Sequence, residues 1–523
     1  MQESYFKTPS PSLHDLSPMA RAWSIYPCLL YGLSALFGAA LALQLIHPAF
    51  AIVFFLFVFF PLRDVQRIWP RLLLALCVGC AAYYWTYARF DFPVAIPEKG
   101  IEGVAEIELS SVSLSKTHFG SAWGYQATMH TFVDREGRLI ARNVPVHMMI
   151  PVDKMPVRPD ASKRYLVPSR LKNGKSGHFY RLVPVVPFQW KAIGTSWNLT
   201  DVRMQAKSFI QNYIVQSTGN SHVAAFLSGI ATGKFNDLEL SVELGRFGLL
   251  HIMAISGLHF SILALFISFG FRTILPFRIA IVATLILLSC YFLFLGNTPS
   301  VLRSWISLMI AFCAVLFGKR KFALNSLGAG LLWIAIADPL LIEQLSFQFS
   351  FAVTAAILIW YSPCDQLLQA AFPKRRVAEV IELDSLSQHT LCLLSFFRQS
   401  ISLSLAVNLV ALPLTLFYFQ KFPALGLLYN LFFPFMAGLS ILLLFLSLLT
   451  MCIPWISSIL FGFNETYTGW LLNFAFRLPK MFDYHLHVKE FSANYLIGYL
   501  FIIYAVGIVL HERFKKDEVA VIL

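Results

Sequence analysis

Of the chain's 523 residues, 57% are hydrophobic and only 13% charged, the net charge is +13 and the mean hydropathy is +0.65. Those proportions exclude an ordinary soluble domain and place the chain among polytopic membrane proteins.

Residues 1–24 are polar and contain Pro and Ser, and the apolar run at 25–46 carries no small-residue cleavage site. It therefore reads as a retained span rather than a secretory signal. Further runs near the roughly 20 residues that cross a bilayer lie at 72–88, 247–270, 279–296, 300–318, 324–342, 345–362, 399–419, 424–449, 453–476 and 492–511. A shorter run at 48–62 is a span or half of a hairpin, so eleven or twelve candidates result, the short and broken ones being open to re-entrant folding.

Basic clusters follow alternate spans: Arg63, Arg67 and Arg71; Arg272 and Arg278; Lys319 to Lys321; Lys374 to Arg376; and Arg513, Lys515 and Lys516. With twelve spans, every cluster shares the side of the amino terminus, which the positive-inside rule assigns to the cytoplasm. Residues 89–198 then lie outside. Seven of the eight cysteines fall in or beside apolar runs, as buried thiols do, and Cys77-Val-Gly-Cys80 has no second pair to complete a metal site.

Between 97 and 190 the pattern changes to short alternating runs, Ile101–Leu109, Tyr125–Val133, Leu139–Ile150, Arg164–Pro168 and Tyr180–Val186, separated by turn residues. Five such strands suit a small β-barrel of the OB type. Lys163, Arg164, Arg170, Lys172, Lys175 and Arg181 crowd its second half, interleaved with Phe119, Trp123, Tyr125, Tyr165, Phe179 and Tyr180. Cations that track phosphates and rings that stack on bases bind single-stranded nucleic acid; the same residues also describe a solvated basic surface over an aromatic core. After the barrel, Leu199, Val202, Phe209, Ile210, Tyr213 and Ile214 recur at helical spacing opposite Asp201, Arg203, Gln205, Lys207 and Gln211. An amphipathic helix on the membrane surface or against the barrel follows.

The fold class is thus a polytopic α-helical membrane protein with an inserted small OB-like β-barrel domain. Its parts are an amino-terminal tail with two or three spans (1–96), the extracytoplasmic β domain (97–190), an amphipathic helix and linker (191–221), a helical bundle (222–512) and a cytoplasmic tail (513–523).

Polar groups inside the bundle are few. His251, Ser256, Gly257 and His259 interrupt an apolar segment, Arg303 stands near the start of a span, Gln348 and Ser350 sit two residues apart, and Asn408 and Asn430 lie in later spans. Such groups cost free energy in hydrocarbon and face a partner or water. In an uninterrupted helix His251 and His259 would be about 12 Å apart along the axis, too far to share a metal that holds nitrogen at about 2 Å. Each imidazole is a wall group or is satisfied by a neighbouring helix; Arg303 either snorkels or offers a permanent cation to phosphate. Ala254-Ile255-Ser256-Gly257 has the look of an intramembrane serine protease motif, but no other span holds the histidine a dyad needs. A transporter of small solutes or lipids is a further alternative.

The run Leu250-His251 to Ala254-Ile255-Ser256-Gly257-Leu258-His259 resembles the signature of the ComEC family of competence membrane proteins. Phe226 to Gly233, the block Tyr291 to Arg320 with Pro299-Ser300-Val301-Leu302-Arg303, Asp338-Pro339 with Ser346 to Phe351, Leu412-Pro413 and Asn430 to Pro434 continue the resemblance in order. It implies a channel that passes single-stranded DNA across the bacterial cytoplasmic (inner) membrane during natural transformation, lined by His251, Ser256, Gly257, His259, Arg303, Gln348, Ser350, Asn408 and Asn430. The only His-x-His, His485-Leu486-His487, lacks the Asp-His of the metallo-β-lactamase domain that many members carry, so a short, non-enzymatic form without metal or cofactor is expected. Implied partners are the strand, the lipid bilayer, a separate nuclease, a DNA receptor and a cytoplasmic motor.

Overall fold

A computed structural model describes residues 17–59, 65–90, 92, 96–117, 120–154, 159–174, 180–185, 190–195, 198–235, 237–253, 257–319, 322–373, 375, 380–476 and 484–522. The first helices are α1 (Pro18–Ile25), α2 (Pro27–Ala42), α3 (Pro48–Phe59) and α4 (Val65–Arg89). Ser17 caps α1, and Pro27, fitted to the first turn of α2, accompanies a 93° bend between the two. Glycines let α2 pack tightly on two neighbours. A β-carbon on Gly38 would stand 2.1 Å from Gly79 O of α4, and one on Gly32 2.4 Å from Gly328 O. Small residues permit such backbone contact between membrane helices.

The sheet follows, with β1 (Ile101–Thr117), β2 (Gly120–Asp134), β3 (Leu139–Pro151), β4 (Lys163–Asn173), β5 (Tyr180–Pro184) and β6 (Lys191–Thr195). Each of the five anticipated strands is present, and β6, beyond residue 190, adds a sixth on β4. Pairing runs β1–β2–β3–β5–β4 and returns from β4 to β1; β3 and β5 are parallel and the remaining pairs antiparallel. Ala105, Ile107 and Leu109, Tyr125, Ala127 and Met129, and Val144, Val146 and Met148 alternate inward to make its core, as the two-residue side-chain period of a strand requires.

The bundle comprises α5 (Thr200–Ser217), α6 (Ser221–Thr232), α7 (Leu238–Arg246), α8 (Leu250–Met253), α9 (Gly257–Ile274), α10 (Phe277–Leu295), α11 (Pro299–Leu316), α12 (Ala323–Ala337), α13 (Leu345–Leu368), α14 (Ser385–Phe419), α15 (Gly426–Leu449), α16 (Pro454–Phe476) and α17 (Ala493–Ile522). A two-stranded ribbon, β7 (Lys421–Pro423) with β8 (His485–His487), joins them. Among the described residues seven helices are long and apolar enough to cross a membrane, namely α9, α10, α11, α13, α14, α15 and the Ala493–Phe514 part of α17; α1 with α2 makes an eighth if the bent pair is one span. The chain is a multi-pass membrane protein. The count falls below eleven because α3 and α12 have only 12 and 15 residues, α4 ends in tyrosines and Arg89, and α16 carries Asn464, Glu465, Thr466 and Thr468 mid-helix.

Hydrogen bonds seat the sheet on the bundle. Asn143 Nδ2 donates to Arg89 O at 3.4 Å, and Arg89 Nη1 donates to Ala337 O at 2.6 Å. Thr200 Oγ1 donates to Ser110 O at 3.1 Å, Asp201 Oδ2 accepts from Ala161 N at 2.8 Å, and Lys234 Nζ donates to Val112 O at 2.7 Å.

Helix α5 departs from expectation. Lys207, assigned to the polar face, is 7% exposed, whereas Val202 and Phe209 are 62% and 58% exposed. The cause lies in α10, whose last carbonyls have no partners within their own helix. Lys207 Nζ donates to Leu295 O at 2.7 Å and Arg203 Nε to Leu293 O at 2.9 Å, cations at the negative end of a helix dipole. Burial, with Lys234 and Arg203 nearby, pushes the Lys207 ammonium down to about 7.

Candidate functional site

The break between α8 and α9 organises the site. Helix α8 stops at Met253 and α9 starts at Gly257; Ser256 lies outside the described residues. His251 and His259 thus belong to two separate helices, α8 and α9, and not to one continuous helix. His259 is buried, at 5% exposure. His251 Nδ1 lies 3.1 Å from Gly248 O. Gly248 has φ +68°, and a β-carbon there would meet Pro423 Cγ at 2.9 Å, so only glycine suits this turn into α8.

Arg303 is where α9, α11 and α13 meet. Pro299 opens α11 with a φ already helical, which sets Arg303 in its second turn. Its Nε donates to Ser350 Oγ of α13 at 2.8 Å and its Nη2 to Ser304 Oγ at 3.5 Å. A β-carbon on Gly257 of α9 would stand 3.0 Å from Nη2. Ser304 in turn donates to Ser300 O at 2.8 Å, and Ser300 Oγ to Ser346 O at 3.3 Å. Among the described residues no carboxylate pairs with Arg303, and its Nη1 makes no hydrogen bond. A guanidinium is always charged; this one is held by hydroxyls alone and keeps donors for an anion.

The other anticipated wall groups are placed differently. Helix α13 is regular from Leu345, so Gln348 and Ser350 point apart. Gln348 Nε2 donates to Ile342 O at 3.3 Å, while Tyr418 Oη of α14 donates to Gln348 Oε1. Asn408 Nδ2 bonds Ser404 O of its own helix at 2.8 Å rather than another helix. Asn430 Oδ1 is buried with no donor among the described residues.

One constellation escaped sequence reading. Arg398 Nε donates to Asp365 Oδ1 at 2.9 Å and Nη1 to Phe372 O at 3.1 Å, the two side chains being 5% and 17% exposed. The available signal was one lone acid late in α13 and one lone base early in α14, an ion pair far apart in sequence.

On the sheet the basic residues divide in two. Lys163 lies 3.8 Å from Asp160, Arg164 3.4 Å from Glu108 and 3.8 Å from Glu106, and Arg170 pairs with Glu102. Lys172 and Arg181 stand opposite one another on β4 and β5, and His147 opposite Arg181 on β3; among the described residues no carboxylate pairs with any of them. Burial and Arg181 lower the His147 imidazole below its usual range. Tyr125, Tyr165 and Tyr180 point into the core, at 0%, 6% and 8% exposure. Lys175, Phe119 and Phe179 lie outside the described residues.

No group of three or more His, Cys, Asp or Glu side chains among the described residues is placed to hold a metal ion. The family model described as Competence protein matches residues 234–513, a stretch that contains α8, α9 and the Arg303 site. No curated protein and no solved structure matches the chain.

Proposed function

Because this chain belongs to the competence protein family, whose members act in DNA uptake, we propose that it is the membrane channel through which single-stranded DNA passes, rather than an enzyme that acts on it. The observation that carries the proposal is Arg303, a permanent cation on a membrane helix with hydroxyl partners only. A strand brings one anion per nucleotide, and hydrocarbon offers nothing to replace its hydration. A wet path with sparse donors attracts the chain without trapping it, and one guanidinium held by Ser304 and Ser350 beside Gly257 is that kind of lining.

The sheet supports the same reading. Its pairing order, with β3 parallel to β5 and β4 returning to β1, is consistent with an OB-type barrel, a module that binds oligonucleotides through an open face. In this proposal the membrane is the bacterial cytoplasmic membrane, the amino terminus is cytoplasmic and the sheet is outside, where it receives a strand from a DNA receptor and a separate nuclease while a cytoplasmic motor draws it inward. Delivery of labelled DNA to the cytoplasm tests it. Cells carrying Arg303→Gln in place of the native chain should take up at least tenfold less DNA at equal protein level; undiminished uptake would sink the proposal.

A further inference from the structure

The basic residues of the sheet are not equivalent. Those on the β1 side of β4 face carboxylates: Arg164 meets Glu106 and Glu108, and Arg170 meets Glu102. Ion pairs of this kind leave little field for an outside anion. Lys172, Arg181 and His147 form the exception, three residues directly opposite one another on β4, β5 and β3 with no acid beside them. Residues opposite one another point to the same face, and Gln126 of β2, opposite His147, extends the row. Adjacent strands are about 4.8 Å apart, so Lys172 to His147 covers about 10 Å across the strands. Among the described residues, the rings that sequence reading offered for stacking on bases are taken up by the core: Tyr125, Tyr165 and Tyr180 are buried in it and Trp123 packs against it.

We propose that Lys172, Arg181 and His147 form a phosphate track, by which the sheet grips the sugar-phosphate backbone of the strand and leaves its bases unread. The proposal rests on the DNA-uptake reading and adds the contact face and the chemical group recognised. Two fixed cations on phosphates predict a shallow salt dependence. For single strands the slope of log affinity against log salt is about −0.7 per neutralised phosphate, so the row contributes about −1.4 and each cation about half of that.

The test uses the full chain in lipid nanodiscs with fluorescent thymidine oligonucleotides across a salt series. Arg181→Gln and Lys172→Gln, both on the outer surface of the sheet, should each flatten the slope by about 0.7, with melting temperature unchanged. An abasic oligonucleotide of equal length should bind within about twofold of the thymidine one, since stacking is worth roughly 1–3 kcal/mol per base where it occurs. Binding by the full chain with a wild-type slope in both variants, or loss of binding to the abasic strand, overturns the track but leaves the channel reading standing. No binding of either oligonucleotide by the full chain overturns both.

Discussion

Gly257 and Arg303 are fitted to each other: the guanidinium closely abuts the position where any other residue at 257 would place its first side-chain carbon, 3.0 Å from Nη2. Gly257→Ala should therefore displace the guanidinium by a few tenths of an ångström and reduce DNA uptake without lowering the amount of protein in the membrane. Residues that act through one contact are not additive, so Gly257→Ala combined with Arg303→Gln should be no worse than Arg303→Gln alone. Additive losses in a double-mutant cycle of uptake rates would separate the two residues.

The Arg398–Asp365 pair should matter to stability and not to the strand. Removing one member of a buried pair strands the other charge, at a cost on the order of 3 kcal/mol. Asp365→Asn should lower the melting temperature of the solubilised protein while oligonucleotide affinity stays at the wild-type value. A melting curve unmoved by the substitution would mean that solvent reaches the pair.

Lys207 predicts a pH dependence of definite sign. Its folded-state value of about 7 lies below the ordinary 10.5 of a lysine, so between those values the unfolded chain binds the extra proton and folding is favoured as pH rises. The gain is lost as pH falls through about 7. Thermal unfolding in nanodiscs at pH 7 and pH 9.5 should show the increase for the native chain and a smaller one for Lys207→Met; identical pH dependence in the two would refute the assignment.

Gly328→Ala should prevent accumulation of the protein. Its β-carbon would stand 2.2 Å from Cys28 O, a backbone atom that cannot move unless α2 and α12 part. Gly498→Ala, which meets nothing within 4 Å, is the matched control and should accumulate normally, as quantitative immunoblotting of membranes would register.

How much of this was legible beforehand depends on how far each interaction reaches along the chain. The two-residue alternation of Ala105, Ile107 and Leu109 is local, and the strands followed from it. Arg303 stood out as a cation in an apolar run, but Gly257 and Ser350, which position it, are 46 and 47 residues away and became its neighbours only through helix packing. Arg164 and Arg170 looked like free surface charge because the acids that neutralise them, Glu102, Glu106 and Glu108, belong to β1, whose register with β4 no periodicity discloses. Lys207 was misassigned for the same reason: its partner is the end of another helix.

The three lysine and arginine contacts around α5 bear on how the molecule carries load. Lys234 holds β1 through Val112 O, while Lys207 and Arg203 of the neighbouring helix hold the last turn of α10. If the chain is the proposed channel, traction exerted on the sheet by a moving strand would reach α10 through these side-chain-to-carbonyl hydrogen bonds instead of being absorbed in a slack tether. The sheet behaves as a bracket bolted to the bundle, and a chemical cross-link from residue 234 to β1 should leave uptake intact, whereas a hinged sheet would be disabled by it.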